Sequence, residues 1–229
     1  YAYHRQPQIM HWNMACLASA MIPLLADKGI ELVLLKVPGL TTPSDKVWDI
    51  TGYMDWFNDQ IKGVKAPVVL GHSNGGRIVL NYLTKHPDRL GSLILLDAAG
   101  VVHDEARSKT KLGILRAVSM VGKPLSKIPI VKKVFYRLIG ANDYYQAPEN
   151  MKKTMQNMLA ANKMIDYSKI TLPTTLIWGE HDQQTPLSDA HYMRDHIVGS
   201  TLHVVAEGRH APMFTHPEEV AQLIVEAVL

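Results

Sequence analysis

Val68-Val69-Leu70-Gly71-His72-Ser73-Asn74-Gly75-Gly76 is an apolar run that ends abruptly at a Gly-x-Ser-x-Gly pattern, and Arg77 to Lys85 continue with helical spacing. The order implied is a strand, a very tight turn and a helix, with Ser73 on the turn. Glycines two before and two after the serine lack Cβ atoms, so strand and helix can approach closely while Ser73 holds a strained backbone. Such a turn lifts the hydroxyl above the sheet and aims helix N-terminal N–H groups where an oxyanion would develop. Acyl transfer is the chemistry that uses both features. The plainer alternative makes Ser73 a helix cap on an ordinary turn.

The 229 residues are 47% apolar and 20% charged, which suits one folded domain with a sizeable core and room for an inserted subdomain. No apolar run approaches the roughly 18 residues needed to span a bilayer, so stable membrane insertion is not expected. The chain opens at Tyr1 without a signal-peptide pattern, which leaves a removed leader open. A single cysteine, Cys16, excludes an internal disulfide framework and a cysteine zinc site, and leans towards a reducing, cytoplasmic compartment. Net charge of +3 is too small to argue for nucleic acid. It is unevenly spread: residues 101–165 hold 12 Lys/Arg against 4 Asp/Glu, and the remainder 12 against 17. A solvated helical face accounts for the basic segment; attraction of anionic substrates or membrane surfaces is the alternative.

Along the chain, Tyr1–Arg5 and Gln8–His11 read as short strands, and Met14–Lys28 as a helix closed by Gly29. Ile30–Leu35 reads as a strand and Val47–Ile61 as a helix with Trp48, Tyr53, Trp56 and Ile61 inward. Pro67–Leu70 enters the serine turn, Gly76–His86 leaves it, and Leu93–Leu96 is the next strand. Strand signals then stop. Three helical stretches, about 105–121, 129–139 and 148–164, precede a strand at Thr174–Trp178, a helix at Leu187–His196, a strand at Thr201–Val205 and a helix at Glu218–Val228. The fold class is therefore α/β, a mostly parallel, doubly wound sheet, with residues 1–100 and 166–229 as core and 101–165 as a helical lid over the strands' carboxyl ends. Met120, Met151, Met155, Met158 and Met164 give the lid a soft apolar side. Core packing explains that stripe, but thioethers also adapt to ligands, and with Tyr144-Tyr145 the set including Met151 and Met155 suggests contact with a medium apolar group.

A serine hydroxyl needs a base within reach, and the base an orienting acid. Of 11 histidines, His210 in Gly208-Arg209-His210-Ala211 follows the last strand at the edge where Ser73 sits, whereas His11 and His203 lie in strands, His86 and His191 in helices, and His216 heads the final helix. For the acid, Asp182 in Trp178-Gly179-Glu180-His181-Asp182 also follows a strand. Glu180 and Asp97 are its rivals, Asp97 having a turn-capping role as its plainer reading. The order Ser, Asp, His is the one expected of this kind of elbow.

These three motifs, with Val37-Pro38-Gly39 and His216-Pro217-Glu218-Glu219, resemble the α/β-hydrolase superfamily over nearly the whole chain. The resemblance implies Ser73 as nucleophile, His210 as general base, Asp182 as its orienter, the Asn74 N–H as one oxyanion donor and 101–165 as the cap domain. It requires no cofactor and no metal. Three departures accompany it. Where the family places a His-Gly loop, this chain reads His11-Trp12-Asn13, which makes Trp12 the candidate for the second donor. Tyr1–Arg5 resembles the second strand of the family, leaving no residues for the first, and the third strand is short. A neighbouring copy covering that edge would make a homo-oligomer. Two functions follow as expectations: a serine hydrolase of carboxylic esters or related small acyl compounds, lactones and C–C bonds included, or a ligand-binding protein on that scaffold whose altered oxyanion loop impairs turnover.

Overall fold

The computed structural model describes residues 21–102 and 148–229. The strands expected before Trp12, Trp12 itself, the helices at 105–121 and 129–139, and Tyr144 and Tyr145 lie outside them. Among the described residues one parallel sheet runs in chain order: β1 (Val68–His72), β2 (Ser92–Leu96), β3 (Thr174–Gly179) and β4 (Thr201–Val205). Helices α1 (Ile50–Gln60), α2 (Asn74–Lys85), α3 (Glu149–Ala160), α4 (Leu187–His196), α5 (Pro212–Thr215) and α6 (Pro217–Val228) join or flank the strands.

The strands alternate their side chains between two apolar clusters, as a sheet covered on both faces requires. Leu93, Leu95, Leu176 and Trp178 enter one cluster with Tyr53 and Phe57 of α1, Leu80 and Tyr82 of α2 and Met193 of α4. Ile94, Leu96, Ile177 and Val205 enter the other with Met21, Leu25 and the α6 residues Val220, Ala221 and Ile224. Each such side chain, sealed from water, contributes about 1.5–3 kcal/mol. Parallel register sets His72 beside Leu96 and Gly179 beside Val205, so all four carboxyl ends share one rim.

Two expectations need correction. Ile30–Leu35 forms no strand: it joins no ladder among the described residues, and Val33 is 69% exposed. Among the described residues its apolar run lacks the second requirement of a strand, a partner for its backbone groups. The helix expected from Val47 begins at Ile50, because Asp49 caps it by accepting the Gly52 N–H at 2.8 Å while the Trp48 N–H goes to Thr154 Oγ1 at 2.9 Å. Trp48 and Trp56 are consequently half-buried, and Ile50, Met54 and Phe57 fill the inward face.

The 148–164 stretch forms α3 and a 3₁₀ turn, Ala161–Met164. Asn150 and Asn157 side chains donate to the Ser44 and Trp48 carbonyls, docking α3 on the segment before α1. At its far end Asn162 accepts from Arg77 Nε of α2 at 2.7 Å and donates to the Val101 carbonyl at 2.9 Å. No helix among the described residues is long and apolar enough to cross a membrane.

Close packing of β1 on α2 depends on two missing side chains. A Cβ at Gly71 would stand 2.7 Å from Gly76 Cα, and one at Gly76 2.4 Å from Ala98 Cβ. At Gly75 a Cβ meets nothing within 4 Å among the described residues. Gly71→Ala should therefore lower stability by about 1–3 kcal/mol through overpacking, whereas Gly75→Ala, on a helix, should be neutral or stabilising by up to about 1 kcal/mol. Urea denaturation midpoints measure both; equal losses would contradict this account of the turn.

Candidate active site

Ser73 follows β1 and stands at the N-cap position of α2 with φ +51° and ψ −121°. Its side chain makes no capping hydrogen bond. The hydroxyl instead lies 3.1 Å from His210 Nε2, and His210 Nδ1 lies 2.8 Å from Asp182 Oδ2. Because Nδ1 faces a carboxylate it carries the hydrogen, which leaves the Nε2 lone pair of the neutral ring to accept from Ser73. Three residues, two of them 28 positions apart and the third 137 positions before His210, thus form one hydrogen-bonded relay. A hydroxyl so placed can lose its proton to the imidazole as it forms a bond to carbon.

Local structure explains why the loops meet. Asp182 ends a turn after β3, its N–H on the Gly179 carbonyl at 3.2 Å, and the His181 N–H reaches the Gly208 carbonyl at 2.7 Å. A Cβ at Gly179 would stand 2.4 Å from the Arg209 carbonyl oxygen, so the acid and base loops touch through backbone that only glycine permits. The Asp182 side chain is fully shielded and that of His210 is 16% exposed. Asp182 Oδ1 accepts from the Gln184 and Thr185 N–H groups at 2.7 and 3.1 Å, and the Thr185 hydroxyl donates to Oδ2 at 2.5 Å. Burial alone would raise this carboxyl, but hydrogen bonds from His210 and Thr185 hold it below the ordinary aspartate value.

The rival acids are otherwise engaged. Glu180 is exposed and accepts the Glu207 N–H at 3.1 Å. Asp97, fully buried, caps no following turn; its Oδ1 accepts the Gly179 N–H across the sheet at 2.9 Å. Asn74 opens α2, where an N–H has no carbonyl one turn back to bind, and its Oδ1 accepts from the Arg77 guanidinium. Met155 packs against the larger core cluster, and Met151 is half-buried on the same helix. No described contact brings either to Ser73.

Two residues escaped the sequence reading. His72 Nε2 donates to the His210 carbonyl at 2.8 Å, holding the base loop from behind, with ring centroids 5.1 Å apart. Burial, helped by His210, pulls His72 down to about 4. Thr185 braces Asp182 as described. Its signal was the Asp-x-x-Thr spacing, a local turn pattern; His72 offered only its place before the serine. Glu180, His181 and Glu207 bring ligand atoms within 4.8 Å of one another, but all three are exposed, whereas the Asp182 side chain is fully shielded.

A family model described as the alpha/beta hydrolase family matches residues 10–223. The pimeloyl-[acyl-carrier protein] methyl ester esterase of Neisseria meningitidis serogroup C is 26% identical over 175 residues, covering 68% of this chain and 66% of the relative. A 2-hydroxy-6-oxononadienedioate/2-hydroxy-6-oxononatrienedioate hydrolase of a Pseudomonas species is 20% identical over 228 residues, with 89% and 79% covered. Among solved structures, a bromoperoxidase from Bacillus anthracis superposes with a TM-score of 0.65 at 16% identity, over 93% of this chain and 86% of that one. That likeness speaks to the fold alone. The chain spans about two thirds of the length of the Neisseria relative.

His72 stays neutral in the fold down to about pH 4, whereas histidine in the unfolded chain takes up its proton near 6.5. Between those values the unfolded state binds more protons, so stability is lost as pH falls through the window, by at most about 3 kcal/mol from this residue. Unfolding free energy plotted against pH from roughly 4 to 6.5 should be less steep for His72→Phe than for the wild type. Parallel slopes would show that His72 is not held neutral.

Proposed function

Because the chain belongs to the alpha/beta hydrolase family, we propose that it is a serine hydrolase of carboxylic esters or related small acyl compounds, working through an acyl-enzyme. The observation that carries this is the relay of Ser73, His210 and Asp182 at 3.1 and 2.8 Å. In the proposed reaction Ser73 Oγ attacks the carbonyl carbon while His210 Nε2 takes its proton. Asp182 keeps the ring in the tautomer with hydrogen on Nδ1 and steadies the imidazolium that forms.

The tetrahedral oxyanion forms at the start of α2, where the Asn74 N–H and the helix dipole favour negative charge. Trp12 is the proposed second donor. Collapse expels the alcohol with the proton from His210; a water then attacks the acyl-serine, gives its proton to His210, and returns Ser73 with the carboxylic acid released. Residues 101–165 are the proposed cap that sets substrate size, supported by the docking of α3 on the core through Asn150 and Asn157. Tyr144, Tyr145, Met151 and Met155 are proposed to line its apolar side. Relatives named as a methyl ester esterase and as a hydrolase support hydrolysis at low identity and keep ester, lactone and C–C substrates within the proposal.

The test uses a short-chain chromogenic ester and a fluorophosphonate probe on the wild type, Ser73→Ala and His210→Ala. Turnover should fall at least about 10³-fold in both variants, and labelling should vanish in Ser73→Ala. Labelling of the wild type without turnover would favour the ligand-binding alternative. Turnover that survives Ser73→Ala would overturn the assignment of the nucleophile.

A further inference from the structure

Asp97, at the carboxyl end of β2, is fully buried and takes no part in the mechanism above. Its Oδ1 accepts the Gly179 N–H, but Oδ2 is sealed from solvent and receives no hydrogen bond from any described donor. A charged oxygen in that position would have lost its water and gained nothing in return. An oxygen carrying its own hydrogen needs an acceptor instead, and the Asp182 carboxylate raises Asp97 both by its charge and as a hydrogen-bond partner. Thr185 ties the two together, its hydroxyl 2.5 Å from Asp182 Oδ2 and 3.1 Å from the Asp97 carbonyl oxygen.

We propose that Asp97 is a positioning residue: a neutral carboxylic acid that donates its Oδ2–H to the Asp182 carboxylate, so that the acid orienting His210 is held by a second acid. The inference rests on the catalytic reading of Ser73, His210 and Asp182. Two facing buried carboxyls cannot both ionise cheaply, so one of them keeps a proton. Asp182 takes the charge because it has four donors, the His210 ring, the Thr185 hydroxyl and the N–H groups of Gln184 and Thr185. Asp97 has one, the Gly179 N–H. Burial pushes Asp97 up to about 8 against the pull of that N–H, and the Asp182 charge adds to the rise.

Of the titratable groups on the elements around Asp97, Asp182 after β3 is the one that acts on it. His210 after β4 stands beyond Asp182, His72 at the end of β1 binds the His210 carbonyl, and Arg77 of α2 turns to Asn74 and Asn162. Above about pH 8 Asp97 ionises, its donated hydrogen is lost, and the brace on Asp182 becomes a repulsion.

Asparagine accepts the positive φ of +42° found at Asp97 and supplies a permanent N–H₂ donor, so Asp97→Asn separates charge from shape. Difference infrared spectra of wild type against Asp97→Asn should show one carboxylic-acid carbonyl band near neutral pH that fades as the pH passes about 8. In ester turnover, kcat of the wild type should fall several-fold between roughly pH 8 and 10, the fall should be absent in Asp97→Asn, and KM should hold. Asp97→Asn should keep at least about tenfold more kcat than Asp97→Ala, which has no donor. Absence of the band, or the same alkaline fall in both proteins, overturns the inference. A wild type showing the band but neither turnover nor labelling overturns the hydrolytic reading and upholds the acid pair; turnover without the band overturns the acid pair alone.

Discussion

A left-handed backbone at Ser73 is the constraint on which the rest of the rim depends. An L-residue at φ +51° carries strain of order 1–3 kcal/mol unless its surroundings over-determine it. Here they do. The Ser73 N–H is shared between the Leu96 and Asp97 carbonyls at 3.3 and 3.2 Å, and the Ser73 carbonyl accepts from Ala99 at 2.9 Å and Arg77 at 3.4 Å. With net values of about 0.5–1.5 kcal/mol each, these bonds offset the strain. They also stitch the end of β1 to the end of β2, so the serine cannot relax into a helix-capping conformation without unpicking the neighbouring strand. The hydroxyl is kept for His210 because the backbone has nowhere else to go.

What the sequence made legible was whatever depended on local pattern. The runs at Val68–Leu70, Leu93–Leu96 and Thr174–Trp178 marked strands, and glycine spacing around Ser73 marked the close approach that the Gly71–Gly76 contact embodies. Parallel topology then placed Ser73, Asp182 and His210 at one rim before any distance was known. Ile30–Leu35 had the same apolar signature but no described partner, and pairing is a long-range property that a single run cannot encode. Asp97 illustrates the same limit from the chemical side. Its position after β2 made it a rival acid, but only the tertiary structure shows its Oδ1 committed to Gly179, a residue 82 positions away. His72 lay inside the quoted motif, and its bond to a carbonyl at position 210 spans 138 residues.

Arg77 shows how the 148–164 stretch and the elbow share one anchor. It is 5% exposed, and its donors go to two amide oxygens, those of Asn74 and Asn162. Burial lowers it to about 10, with Tyr167 pulling the other way, so the guanidinium stays charged at neutral pH. A positive group beside the first turn of α2 adds to the field of the helix N-terminus, which under the proposed mechanism favours the oxyanion. Asn162 also binds the Val101 carbonyl, so both described ends of the 101–165 segment meet at this point. A shift of the 3₁₀ turn at Ala161–Met164 would therefore be felt at Asn74 through Arg77, without passing through the sheet.

The distribution of backbone strain argues independently that this rim is the functional part of the fold. Non-glycine residues with positive φ are Ala66, Ser73, Asp97 and Glu207 among the described residues. Ala66 precedes β1, where its carbonyl crowds Gly91. The other three follow β1, β2 and β4, all at the carboxyl rim, and the β3 end, which carries no such residue, instead uses Gly179 against Gly208. A chain selected for stability alone would place glycine or asparagine at such positions, since each then costs less. At Ser73 and Asp97 the side chain is what the position needs: one hydroxyl aimed at an imidazole, one carboxyl aimed across the sheet. Two apolar clusters covering both faces of the sheet supply the rigidity that keeps these conformations from relaxing. Strain held where polar side chains converge is what a preorganised site requires, because reorganisation avoided at the moment of reaction lowers the barrier.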